Sequence, residues 1–427
     1  MQGTDNYTEF TRGIIESNFG IRKGLLQIDG ISVTSITEQY GTPIYIYSRS
    51  IIDKSIETLK STYPENFSIH YSIKANPNRA IIRHCISSNL GLEIASSGEF
   101  KRALESGCDP VNIIFAGPGK TYAELEEVIS CGLGELHIES YREAERAGEI
   151  ANSLQKPLTA AIRVNPEETS VGAMRMSGKP VQFGIDENKL DTVLEFVINH
   201  PRLNFSGIHL FVGTQILDAN SLIAHYKKGI EIARNICRQY QVPIKTLDMG
   251  GGLGIPYFPG DRHLDLSLLR EGLDGLIREI STSPEFAQTK FIIEPGRFLV
   301  GESGIYVARV NDIKISKEKK FVILDGGMNH HLAASGNLGQ TIKRNFPIAI
   351  LNRLDSDAAE HVDLVGPLCT PLDTLGRKVP LPPVREGDLI GIFQSGAYSR
   401  SASPLGFLSH PEPDEVFVEN GEFHSIS

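Results

Sequence analysis

Apolar residues along this chain come in short runs that end in small, polar or glycine-rich turns. They are FSIHYSIKA (67–75), GLEIASS (91–97), NIIFAGPG (112–119), ELHIES (135–140), AAIRVNP (160–166), GIHLFVGT (207–214), TLDMGGG (246–252) and FIIEPGR (291–297). Between most of them lie segments such as ASSGEFKRALESG, TYAELEEVISCG, SYREAERAGEIANSLQ and LIAHYKKGIEIARNICRQY. Their apolar residues recur at three and four, the period of a helix with one buried face. Eight strand–helix units over about 230 residues have the size of a (β/α)8 barrel. An open doubly wound sheet would carry a glycine fingerprint in its first strand-to-helix turn. Here the densest glycines come late, and no G-x-G-x-x-G follows the first run.

Beyond about residue 300 long helical patterns become scarce, and strand-like runs follow one another: IYVARVNDIKI, KFVILDGG, HVDLVGPL, DLIGIFQSGAY and DEVFVENG. Prolines gather in KVPLPPVREGD, a turn or edge-strand signal. Near the start, LLQIDGISVTSITEQYG has a strand–turn–strand pattern and is expected to join this second, β-rich part. The expected architecture is α/β: an N-terminal segment (1–43), a TIM barrel (44–300) and a C-terminal β-sandwich or β-barrel domain (301–427). There is no fixed-period repeat and no low-complexity linker.

Composition narrows the function classes. In 427 residues, 40% are hydrophobic and 22% charged, enough for a large core and more than one domain. The excess of 52 acidic over 42 basic side chains would repel a nucleic-acid backbone. The five cysteines (Cys85, Cys108, Cys131, Cys237, Cys369) include no CxxC pair, so neither a disulfide framework nor a metal cluster is expected. No stretch reaches the roughly 18 apolar residues needed to span a bilayer, and the polar start MQGTDNYTEFTR does not resemble a secretory leader. A cytoplasmic protein is expected.

Barrel enzymes place their chemistry at the C-terminal ends of the strands, often with a phosphate site after strands seven and eight. Those ends here are Gly250, Gly251 and Gly252, and Glu294-Pro-Gly296-Arg297. Consecutive glycines let backbone N–H groups approach phosphate oxygens, and an arginine adds charge-assisted hydrogen bonds. A glycine turn needing positive φ is the plainer reading of the same triplet. Lys74 closes the first run, where its charge must be paired, reach solvent or react. A lysine for an aldehyde, a phosphate cradle and a carboxylate for a ring nitrogen together suit pyridoxal phosphate (PLP). GPGKT resembles half of a P-loop, but Ile114 stands where its first glycine belongs.

In order, YSIKAN, LEIAS, FAGPGK, RVNP, QFGID, GGGLG, EPGR, GPLCTPLD and SGAY span nearly the whole chain. With them the chain closely resembles the PLP-dependent decarboxylases of the alanine racemase barrel type, the family of diaminopimelate and ornithine decarboxylases. The resemblance implies that Lys74 binds the cofactor aldehyde and that Glu294 keeps the pyridine nitrogen protonated. It further implies that Arg163 sits beside the phenolate, and that Gly252, Gly296, Arg297 and Tyr398 contact the phosphate, with Thr214 at the place of a family serine. Cys369 matches the active-site cysteine that reprotonates the product and arrives from a second subunit, so a homodimer is implied. EPGR argues against an amino-acid racemase, which sets an arginine against the ring nitrogen. The long β tail and Cys369 argue against a non-catalytic PLP-handling protein.

Two departures from the family pattern bear on function. Phe211 replaces a histidine that stacks on the cofactor ring; a phenyl ring can stack but cannot change charge. His209, on the same strand face, is either a substitute or a packed barrel histidine. After Cys369 the family has an acidic residue for the substrate's distal ammonium, whereas this chain has Thr370. A buried ammonium without its counter-charge costs several kcal/mol, which argues against a free basic amino acid, although Asp325 and Asp373 stand as possible substitutes. MRMSGKPVQFGID (174–186), GPLCTP and FLSHPEP resemble a subgroup of siderophore and natural-product pathways that acts on citryl-diaminopropionate or on carrier-bound glutamyl groups. The expected substrate is therefore an acylated or carrier-bound L-amino acid, with Arg175 and Lys179 available to its distal end. Diaminopimelate decarboxylation is the alternative, with ornithine or lysine decarboxylation behind it.

Overall fold

The computed structural model describes residues 2–167, 180–211 and 213–427. Eight parallel strands form the first body: β1 Phe67–Ser72, β2 Gly91–Ile94, β3 Ile113–Phe115, β4 Glu135–Ile138, β5 Leu158–Asn165, β6 Leu203–Leu210, β7 Thr246–Asp248 and β8 Lys290–Ile293. Each pairs with the next, and β8 closes on β1 through Phe291↔Phe67 and Ile293↔Ile69, so the eight close into a barrel, with the two-residue strand Ile185–Asp186 added beside β5. Every strand coincides with one of the eight apolar runs. Several are buried along their whole length, as strands covered on both faces must be.

Helices follow the strands where the sequence supplies start signals. Ser96, Thr121, Ser140, Asp218 and Asp265 each accept a hydrogen bond from a backbone N–H in the first helical turn. Thr121 and Glu124 complete a reciprocal capping box. Helix Leu266–Ile280 buries Leu269, Leu273, Leu276 and Ile280, one stripe at helical spacing.

The second body is β-rich. Strand Gly304–Ser316 is its backbone, pairing antiparallel with Ile44–Ser48, Lys319–Leu324 and Leu389–Ile392. Helix Gln2–Asn18 and a separate three-stranded sheet (20–22, 25–28, 31–32) pack into its core. Ile14, Leu26, Ile28, Ile44, Ile46, Ile305, Val307 and Val416 meet there, each fully buried aliphatic contributing roughly 1.5–3 kcal/mol. The N-terminal segment therefore reaches the β body, as a small sheet of its own. We propose dividing the chain into residues 56–254 with 263–296, and 1–55 with 255–262 and 297–427. The expected boundary after residue 43 moves because Ile44–Ser48 pairs with Gly304–Val307 and with Asp414–Val418.

Acid sensitivity follows from buried histidines. Burial pushes His70 and His225 down to about 4 and His331 down to about 3. Between those values and the unfolded value near 6.5, the unfolded chain binds protons that the folded chain does not, so stability falls as pH falls. Each group contributes on the order of 3 kcal/mol across its window. Calorimetry is expected to show Tm dropping steeply below about pH 6.5; a flat Tm down to pH 4 would contradict this burial.

Candidate active site

The C-terminal ends of the barrel strands carry an unusual density of charge. Lys74 lies in a single 3-10 turn directly after β1. Its Nζ donates to Glu93 Oε1 at 2.9 Å and Oε2 at 2.8 Å. Glu93, on β2, is 1% exposed while the Lys74 side chain is 42% exposed. A buried carboxylate thus holds the amino end of an otherwise accessible lysine. Gly296 permits this arrangement: a Cβ there would approach the Ala75 Cβ to 2.9 Å, so glycine lets the end of β8 lie against the Lys74 turn.

On the other strands, Arg163 of β5 donates to Glu139 Oε1 at 2.7 Å. Its guanidinium stands over the rings of Phe183 (5.0 Å) and Phe211 (5.5 Å). Glu139 also accepts the N–H groups of Gly117 and Gly184. Burial raises the Glu139 carboxyl, but Arg163 and Lys120 outweigh it and hold the group below its usual value. Phe211 is 39% exposed. His209 is instead buried, stacked on His137 at 4.4 Å, so it is a barrel histidine and leaves Phe211 as the ring-stacking candidate.

Below these groups sits a cluster that the sequence reading did not pick out. His137 Nε2 lies 3.1 Å from Glu135, and His209 Nε2 lies 3.4 Å from Glu294 Oε2. Burial, then Glu294, pushes Asp248 well above the carboxylate range. Burial, then His137, pushes His209 well below the histidine range. Glu294 Oε1 is buried without a hydrogen-bond partner among the described residues. A buried carboxylate oxygen with an open valence suits a ring N–H, the group that PLP presents.

The glycine triplet has more than one reason to exist. A Cβ at Gly250 would come within 2.4 Å of the Leu210 carbonyl oxygen, and one at Gly251 within 2.3 Å of that of Glu294. Both glycines are thus required by close backbone packing. Gly252 has φ +97° and Thr214 is exposed.

In the β-rich body, Arg297 Nη1 donates to the Tyr257 hydroxyl at 2.8 Å, and its guanidinium faces the Tyr398 ring at 4.8 Å. Arg297 Nε is buried and without a hydrogen-bond partner among the described residues, an open donor suited to a phosphate oxygen. Tyr398 adopts the left-handed region at φ 53°, strain that functional positions often hold. By contrast, Lys120 of the P-loop-like segment is buried against Glu143 at 2.6 Å. It is not available to a phosphate.

Cys369 is exposed, and Thr370 beside it is half-buried. Of the other cysteines, Cys85 and Cys108 are buried, Cys237 is half-buried and Cys131 is exposed. Asp373 Oδ1 accepts the Met328 N–H at 2.7 Å, and Oδ2 accepts the Leu368 N–H at 2.8 Å. Asp325 accepts from the Thr42 hydroxyl and the Arg309 N–H. Both carboxylates are committed to the fold, and Asp373 braces the loop that presents Cys369. Arg175 and Lys179 lie outside the described residues.

Residues 49–301 match the family model described as pyridoxal-dependent decarboxylase, pyridoxal binding domain. The chain belongs to the PLP-dependent decarboxylase family. It is 37% identical over 405 residues to an L-glutamyl-(BtrI acyl-carrier protein) decarboxylase of Niallia circulans, covering 94% of each chain. It is 32% identical to the 2-((L-alanin-3-ylcarbamoyl)methyl)-2-hydroxybutanedioate decarboxylase of Staphylococcus aureus, covering 88% of this chain and 93% of that one. Among solved structures, diaminopimelate decarboxylase of M. jannaschii in complex with L-lysine superposes with a TM-score of 0.88 at 25% identity, covering 96% of this chain and 94% of that one. The barrel, the β-rich body and PLP-dependent decarboxylation are thus common ground between this chain and its relatives.

Sequence pattern missed Glu93, His137, Glu139, Asp248 and Tyr257. A signal was present for the first two: a single ionisable residue between apolar neighbours, as in Leu92-Glu93-Ile94 and Leu136-His137-Ile138, on strands buried on both faces.

Proposed function

We propose that this enzyme removes the α-carboxylate of an L-amino acid whose distal end is acylated or tethered, on a carrier protein or in a conjugate, within a natural-product or siderophore-type pathway. The observation that carries the reading is the Cys369 loop. Thr370 replaces the acid of the diaminopimelate and ornithine enzymes, and Asp373 and Asp325 both spend their oxygens on the fold. The acid that would meet a distal ammonium is replaced, and the two nearby carboxylates are engaged by the fold, so a substrate without a free ammonium fits better. The Niallia relative, named for a carrier-bound glutamyl group, supports the same class.

PLP, when bound, supplies the sink for the electron pair left as CO2 departs. Lys74 would hold the cofactor's aldehyde carbon, and Glu93, in contact with its Nζ, would orient it. Glu294 keeps the proton on the ring nitrogen. By the family resemblance, Arg163 and Phe211 would bind the ring, and Thr214, the Gly250–Gly252 turn, Gly296, Arg297 and Tyr398 would each bind the phosphate. In a homodimer, Cys369 of the partner subunit would deliver a proton to the carbon that lost CO2. Asp373 acts at one remove by fixing that loop.

Comparison of kcat/KM for CO2 release tests the substrate class. A glutamyl thioester on a carrier protein and an acylated diaminopropionate would be set against free diaminopimelate, ornithine and lysine. We expect at least one tethered or acylated substrate to exceed every free diamine acid by roughly 100-fold, the discrimination of about 2–3 kcal/mol that one mismatched charge imposes. Preference for free diaminopimelate would overturn the reading.

A further inference from the structure

A cavity of about 310 Å³ opens in the β-rich body, at the small end of the ~300–1,000 Å³ typical of ligand sites. Phe258, Ser335, Lys343, Arg344, Asn345 and Arg377 line it, and no Asp or Glu does. Three cations facing one space is unusual in a chain with a net charge of −10. Nor are they neutralised by carboxylates among the described residues. Lys343 Nζ donates to the Asn337 side-chain oxygen at 2.8 Å, and the Arg344 guanidinium lies 3.7 Å from the centre of the Phe258 ring. Arg377 is fixed through its backbone, exchanging hydrogen bonds with the Asn345 side chain at 2.9 and 2.7 Å.

The cavity is joined to the Arg297 group by a run of aromatic contacts within the same body. Phe258 stands 6.0 Å from Phe346, and Phe346 stands 4.9 Å from Tyr257. Tyr257 in turn accepts the Arg297 hydrogen bond.

We propose that Lys343, Arg344 and Arg377 bind the phosphate of a phosphopantetheine arm, gripping the tether at its charged end. The proposal rests on the tethered-substrate reading. Two guanidinium forks and an ammonium match an anion with several equivalent oxygens. Phe258 and Leu375, also in the lining, suit the aliphatic part of the arm. A conjugate bearing only carboxylates offers the competing anion.

Isothermal titration of the PLP-loaded enzyme with 4′-phosphopantetheine, pantetheine and citrate tests the site directly. Wild type is expected to bind phosphopantetheine at least tenfold tighter than pantetheine, as loss of charge-assisted hydrogen bonds implies. The triple variant Lys343→Ala, Arg344→Ala, Arg377→Ala is expected to erase that difference, and to raise KM for the carrier-bound substrate without lowering kcat on a pantetheine thioester. Equal binding of the two ligands by wild type, discrimination unchanged in the variant, or tighter binding of citrate than of phosphopantetheine would each overturn the proposal. The wild-type comparison needs no variant to fold. Preference for free diaminopimelate in turnover would instead overturn the tethered-substrate reading, so the two failures are distinguishable.

Discussion

Lys74→Ala is expected to lower CO2 release by roughly 10,000-fold or more, because a covalently held reaction partner is worth effective molarities of ~10⁵–10⁸ M. The substitution also leaves Glu93, 1% exposed, without the ammonium that now sits 2.8 Å away. Lys74→Arg separates the two effects. It keeps a cation beside Glu93 but offers no primary amine to the aldehyde, so it is expected to be as inactive as alanine while retaining more thermal stability. Full turnover in either variant, measured as CO2 release with saturating PLP, would remove Lys74 from the mechanism.

The second large effect lies at the other side of the barrel mouth. Glu294→Gln replaces the carboxylate that we propose for the ring nitrogen with a neutral amide, and kcat is expected to fall roughly 100- to 1,000-fold, the usual cost of one misplaced electrostatic partner in a dry site. The apoenzyme should respond in the opposite direction. Glu294 shares the barrel interior with Asp248 and Glu135, and its charge helps push the Asp248 carboxyl upward. Glutamine removes a desolvated charge from the barrel interior, so the variant's apo Tm is expected to rise by about 2 °C or more. A fall in both activity and apo stability would mean that Glu294 serves the fold rather than the cofactor.

These expectations depend on a fold that was largely legible in the chain. Each barrel strand announces itself as an apolar run ended by glycine or a capping residue, because strand ends must both turn and start a helix within a few residues. Lys74, Arg163, Glu294 and Arg297 were readable because each stands at the end of such a run. What stayed hidden depends on which elements meet in three dimensions. The run IYIY at 44–47 resembles the opening of a barrel, and nothing local says that its hydrogen bonds go to Gly304–Val307. Helix Gln2–Asn18 begins in a polar stretch, and its buried residues Ile14 and Ile15 find their core more than 280 residues away at Ile305. Asp325 and Asp373 look like available acids until their backbone partners are known. The pairing of Lys74 with Glu93, and of His137 with His209, likewise depends on neighbouring strands closing into a ring.

The most direct test of the central claim is intact-mass analysis of an acyl-carrier protein bearing an L-glutamyl thioester, incubated with the PLP-loaded enzyme. The expected result is loss of one CO2 from the tethered glutamyl group, with none when Lys74→Ala replaces wild type. An unchanged carrier mass, together with CO2 release from free diaminopimelate under the same conditions, would contradict the account.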